Sequence, residues 1–111
     1  MNLEHRTEHG IDIVKLPDRL MMADANEART RFKDIIQSGQ GKLILDLRAT
    51  HFMDSSGLAV LVSALQAARK RDGDIYLFGM SNTVRALFEL TRLQTVFKIF
   101  DDEAVALRAF D

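Results

Sequence analysis

The sequence predicts an α/β domain: a mixed β-sheet that opens on an N-terminal hairpin, runs parallel in its later strands and is covered by about four helices. Three observations point there. The runs Leu43-Ile44-Leu45 and Ile75-Tyr76-Leu77-Phe78 are apolar without alternation, as strands covered on both faces are, and such strands belong to parallel sheets. Between and around them, apolar residues recur at helical spacing, so strand and helix alternate along the chain. The connections are short, which requires neighbouring elements to pack directly and the parallel strands to be joined by right-handed crossovers.

His9-Gly10 separates residues 3–8 from Ile11-Asp12-Ile13-Val14-Lys15-Leu16, and a tight turn there makes the opening hairpin. Pro17 and Asp18 break the strand. From Asp24, Ala25, Ala28, Phe32, Ile35 and Ile36 lie on one face of a helix that Gly39 and Gly41 terminate. The strand at 43–47 follows; its Asp46 must be hydrogen-bonded or neutralised if buried, and the expected partner is the loop at 52–55. A second helix begins at Ser55 or Ser56 and ends in Arg69-Lys70-Arg71-Asp72-Gly73, cations in the last turn and a glycine beyond. Ile75 to Gly79 forms a central strand. Ser81 caps a third helix whose inner residues are Val84, Leu87, Phe88 and Leu90, with Thr91 to Gln94 ending it. Val96 to Phe100 is the last strand, and a helix from Asp101 turns Ala104, Leu107 and Phe110 inward.

All 111 residues fit one domain, large enough to remove roughly 65 per cent of its unfolded surface from water. With 15 basic and 16 acidic side chains and a formal charge of −1, nothing favours nucleic acid or an anionic membrane, and a protein partner is expected. The absence of cysteine excludes disulfides, thiolate metal sites and thiol nucleophiles. The N-terminus is charged where a signal peptide is apolar, and no apolar run approaches the roughly 20 residues of a membrane span, so a cytoplasmic location is expected.

Function is expected at Asp54-Ser55-Ser56-Gly57-Leu58, where a strand leads into an apolar helix. A helix N-terminus presents unpaired N–H groups and about half a positive charge, so it would partly accommodate a phosphate esterified to a serine there. The plainer reading is that Asp54 or Ser55 simply caps the helix. Along the first three turns little is charged, which fits either full burial or an outer face kept for a partner; Val60, Ser63 and Ala67 are the docking positions on the second view. Met21, Met22 and Met80 follow strands and can bring adaptable apolar side chains near Ser55, or can fill gaps in the core. No catalytic residue, metal site or cofactor is expected: there is no Gly-x-Ser-x-Gly elbow, no metal-binding helical spacing of His5, His9 and His51, and no glycine-rich phosphate loop.

Phe52-Met53-Asp54-Ser55-Ser56-Gly57-Leu58, set after the strand at 43–47, resembles the signature of STAS domains, in particular bacterial anti-sigma-factor antagonists. Met80-Ser81-Asn82-Thr83-Val84 and Leu87-Phe88-Glu89-Leu90 add to the likeness, which runs over essentially the whole chain. The resemblance implies that Ser55 is phosphorylated, with Ser56 the nearest alternative, by a serine kinase of ATPase-type fold that is also an anti-sigma factor. It implies a PPM-type phosphatase that removes the phosphate, and release of the antagonist on phosphorylation. The expected partner surface joins Met21, Met22, Asp24, Met53, Asp54 and Gly57 to the two serines, Met80 and the docking positions already named. Met21 stands where family members often carry an acid, the nearest acids being Asp18 and Asp24. A monomer or weak dimer is expected. The alternative within the family is a regulatory or scaffold module with a non-sigma output in secretion, biofilm formation or transport. Outside it stand a receiver-like domain phosphorylated on Asp46 or Asp54, which lacks the needed acids at the first strand end, and a small hydrolase using Ser55.

Overall fold

The computed structural model describes residues 1–111. Strands β1 (Glu4–Glu8) and β2 (Ile11–Lys15) form the hairpin, with Glu4 opposite Lys15 and Thr7 opposite Asp12. Both turn residues, His9 and Gly10, have positive φ, the requirement of a two-residue type I′ turn. The next elements are β3 (Arg19–Leu20), a 3-10 turn at Met22–Asp24, α1 (Ala25–Ser38), β4 (Lys42–Asp46) and β5 (Phe52–Met53). They are followed by α2 (Ser55–Arg69), β6 (Asp74–Phe78), α3 (Asn82–Leu90), β7 (Lys98–Phe100) and α4 (Glu103–Ala109).

The main sheet has the order β1-β2-β4-β6-β7, antiparallel only between β1 and β2. The four-helix mixed-sheet domain is therefore as the sequence predicts. Its larger core lies between one sheet face, carrying Val14, Leu43, Leu45, Ile75 and Leu77, and the helices α1, α2 and α3. The opposite face carries Ile11, Ile13, Ile44, Tyr76 and Phe78 and is covered by the short α4 through Ala106, with Leu107 and Phe110 at its margin. Each central strand thus buries both faces, the physical reason for the unbroken apolar runs.

The five inward positions expected of α1 are its five buried residues. Elsewhere the structure corrects the sequence reading. Leu90 is 82% exposed, because α3 ends there and its last turn overhangs the core that Val84 and Phe88 reach. Val96 is exposed and pairing in the last strand starts only at Lys98. In α4 the buried alanine is Ala106 while Ala104 faces solvent; Asp102 caps the helix by accepting from the Val105 amide, which sets its phase. Asp46 is buried but does not bind the 52–55 loop. Its carboxylate accepts from the Arg48 amide at 3.0 Å and from the Arg48 guanidinium at 3.0 and 2.8 Å, two residues away. Burial alone would push the Asp46 carboxyl up, and these bonds outweigh it, holding the group below the usual carboxylate range.

Candidate functional site at the start of α2

The site is assembled by a two-residue parallel pair, β3 with β5, standing off the main sheet with Leu20 opposite Met53. The loop before β5 is stitched to the chain before β3. His51 and Phe52 amides donate to the Asp18 carbonyl, Thr50 Oγ1 donates to the Pro17 carbonyl at 2.7 Å, and the His51 ring meets the Asp18 carboxylate at 2.8 Å. Ser81, which caps α3 by accepting from the Val84 amide, also reaches the Thr50 carbonyl. Residues distant in sequence are thereby fixed around the first turn of α2.

Asp54 is the N-cap. Its Oδ1 accepts from the Gly57 amide at 3.0 Å and its Oδ2 from the Met22 amide at 3.0 Å, so one carboxylate both caps α2 and ties it to the turn after β3. Those amide bonds, Gly57's first, hold the Asp54 carboxyl below its ordinary range. The plainer sequence reading thus holds for Asp54, and its consequence favours the other one. Because Asp54 does the capping, the Ser55 hydroxyl is not committed to the helix, and Ser55 is exposed at the first helical position. Ser56 beside it is half-buried.

Gly57 is buried where the Leu20 carbonyl crosses the helix. A methyl group there would overlap that oxygen and stand 2.9 Å from Met53 Cγ. The glycine of the motif therefore permits a close approach of β3 to α2.

Met22 and Phe52 form an apolar rim, 74% and 56% exposed. Met53 and Met80 are half-buried and pack against the larger core, Met53 also against Gly57. Met21 is half-buried, and its amide donates to Asp24 Oδ2. Asp24 is further engaged by the Arg19 guanidinium at 3.2 and 3.3 Å. The Met21 amide first, and then Arg19, hold its carboxyl low. Both acids nearest the Met21 position are thus already engaged within the chain, Asp24 by Arg19 and Asp18 by the His51 ring.

Two expected partner positions are corrected: Gly57, buried under the Leu20 carbonyl, is not on the surface, and neither is Val60. Val60 is 1% exposed and packs into the larger core toward α1, whereas Ala59 is exposed. The surface continuous with Ser55 runs through Ala59 and Ser63, at steps of four residues. Ser63 is exposed and Ala67 half-buried, both bordering a groove between α1 and α2. Helical phase, counted from Ser55, would have chosen Ala59, and the exposure of Phe52 carries no sequence signal beyond its place beside the motif.

Comparison with known proteins agrees with this fold. The family model of the STAS domain matches residues 2–106. The anti-sigma F factor antagonist of Paenibacillus polymyxa is 30% identical over 110 residues, covering 96% of this chain and 94% of that protein. Among solved structures, an anti-sigma-factor antagonist (STAS) domain protein from Planctomyces limnophilus superposes with a TM-score of 0.87 at 20% identity, over 96% of both chains. The Bacillus cell fate determinant SpoIIAA, solved in its phosphorylated form, superposes with a TM-score of 0.75 at 19% identity, over 97% of this chain and 99% of that one.

Proposed function

The chain belongs to the STAS domain family, and on that premise we propose that it is an anti-sigma-factor antagonist, without enzymatic activity of its own, switched by phosphorylation of Ser55. The observation that carries this reading is the division of labour at the start of α2: Asp54 caps the helix and Ser55 is left exposed to a kinase. The unmodified face around Ser55, with Ala59, Phe52 and Met22, binds a serine kinase of ATPase-type fold that is also the anti-sigma factor, and so frees what that protein held. A PPM-type phosphatase resets the switch. All of these steps take place in the cytoplasm; no helix of the chain is long and apolar enough to cross a membrane.

The switch follows from electrostatics. A phosphoserine brings a charge of about −2 at neutral pH. The N-terminus of α2 offsets it by roughly 0.3 to 1 kcal/mol, and repulsion from the ionised Asp54 opposes by a similar amount in water. The fold therefore stays in place. Burying that charge unpaired against a partner costs several kcal/mol, about 100-fold or more in affinity. The test is incubation with the cognate kinase and ATP, followed by mapping of the modified residue and a pull-down. Phosphate on Ser55, with loss of kinase binding and an unchanged circular dichroism spectrum, is the expected result; modification elsewhere, or an unfolded product, contradicts the reading.

A further inference from the structure

The groove between α1 and α2 lies beside the face assigned to the switch and shares Ser63 with it. Its volume is about 410 Å³, and its floor is Phe32, Val60, Ala64 and Ala67. Four cations rim it: Arg29 and Lys33 from α1, Lys70 and Arg71 from the end of α2 and the turn after it. None of the four pairs with a carboxylate, whereas six of the eleven Lys and Arg side chains elsewhere on the chain do. Arg71 donates only to the Gly39 carbonyl, and Arg29 only to the Asn26 side chain. No acidic residue lines the groove. In a chain of net charge −1, four cations gathered along one cleft that no acid lines make a positive patch suited to an anionic occupant.

We propose that this groove docks an acidic amphipathic helix of a partner protein. Along α2 and its C-cap the lining runs from Val60 to Lys70, about 15 Å at 1.5 Å per residue, enough for roughly three turns of a bound helix. The small side chains of Ser63, Ala64 and Ala67 let another backbone approach closely, while Ala67 and the alkyl stems of Arg29, Lys33 and Lys70 offer apolar contact above the buried Phe32 and Val60. Cations stand on both banks rather than at one end. A helix with carboxylates on both sides of an apolar stripe pairs with all of them, whereas an amphiphile with a single anionic head leaves the opposite bank unpaired. The groove starts more than a turn beyond Ser55, so the proposal does not rest on phosphorylation of that residue, and Ser55→Asp is expected to leave docking unchanged.

The test uses a synthetic helix of about 18 residues, stapled to hold its conformation, with leucines at i, i+3, i+4 and i+7 flanked by glutamates. A version with lysines for glutamates, and laurate, serve as competing probes. Backbone amide shifts of the whole chain and fluorescence titration are the readouts. The expected result is saturable binding at about 100 μM or tighter, weakened by salt, with shifts confined to 29–37 and 60–71. The exposed double substitution Lys33→Glu with Lys70→Glu should weaken it at least about tenfold, and Lys33→Ala with Lys70→Ala less, with circular dichroism unchanged in both. Equal binding of the lysine peptide, no binding near about 1 mM, or shifts elsewhere would overturn the proposal. So would laurate binding where the acidic peptide does not, or self-association of the chain through this face.

Discussion

Replacing Gly57 by alanine should destabilise this protein, although alanine is the better helix former by about 1 kcal/mol and Gly57 lies inside α2. The added methyl overlaps the Leu20 carbonyl oxygen and comes to 2.9 Å from Met53 Cγ, where carbon atoms ordinarily rest near 3.5 to 4.0 Å. The methionine can turn aside. The carbonyl belongs to the backbone of β3, beside a Leu20 side chain that is fully buried, and it can yield only if β3 moves away from α2. Such overpacking costs about 1 to 3 kcal/mol. Displacing β3 also strains the Met22 amide bond to Asp54, worth roughly 1 kcal/mol. Set against the helix propensity, the net loss is about 1 to 3 kcal/mol, a fall of about 4 to 12 °C in melting temperature for a domain of this size. Thermal unfolding by circular dichroism measures it, and amide exchange at Met22 should accelerate in the variant. An alanine variant melting at or above wild type, as helix propensity alone requires, would refute the close approach of β3 to α2.

Asp54→Ala removes the cap of α2 and its tie to Met22; a loss of about 1 to 2 kcal/mol is expected in chemical denaturation, and an unchanged midpoint would show that the cap carries no weight. The depressed carboxyls of Asp54, Asp24 and Asp46 make stability pH-dependent. A group with a lowered folded pKa stabilises above its unfolded value near 3.9 and loses that contribution as pH falls through the folded value, so stability should decline on acidification below about pH 4. Asp54→Asn should flatten that decline in a denaturation series across pH; an identical slope would contradict it. Ala59→Lys should weaken kinase binding at constant melting temperature, while Val60→Lys, placing a charge in the core, should unfold or strongly destabilise the chain. Calorimetry and a pull-down on both variants decide whether the interface follows Ala59.

What could be read from the sequence was set by periodicity and burial. In α1 large apolar residues occupy one face and charged ones the other, so the stripe Ala25 to Ile36 is unambiguous. Strands β4 and β6 show as unbroken apolar runs because helices cover both sides of the sheet. The alanine-rich α2 and α4 lack that contrast, so the pattern does not fix their phase: the outward residue is Ala59 and not Val60, the buried alanine Ala106 and not Ala104. The motif at 52–58 pointed to the site, but its geometry depends on β3 and β5, two residues each, too short to leave a pattern. Their pairing explains both the glycine and the second oxygen of Asp54. The hairpin register likewise placed Thr7 opposite Asp12, whose buried carboxylate takes bonds from Thr7 and the His5 ring, without any composition cue that this aspartate would be inside.

The central claim is that a phosphate on Ser55 blocks docking by its charge while the fold stays put. Its most direct measurement is the affinity of the cognate kinase for the purified chain before and after stoichiometric phosphorylation, alongside amide shifts of the free chain in both states. The account predicts an affinity loss of about 100-fold or more, with shifts limited to the Met22 turn and the first turn of α2. Equal affinity in the two states, or shifts spread through the sheet, would contradict it.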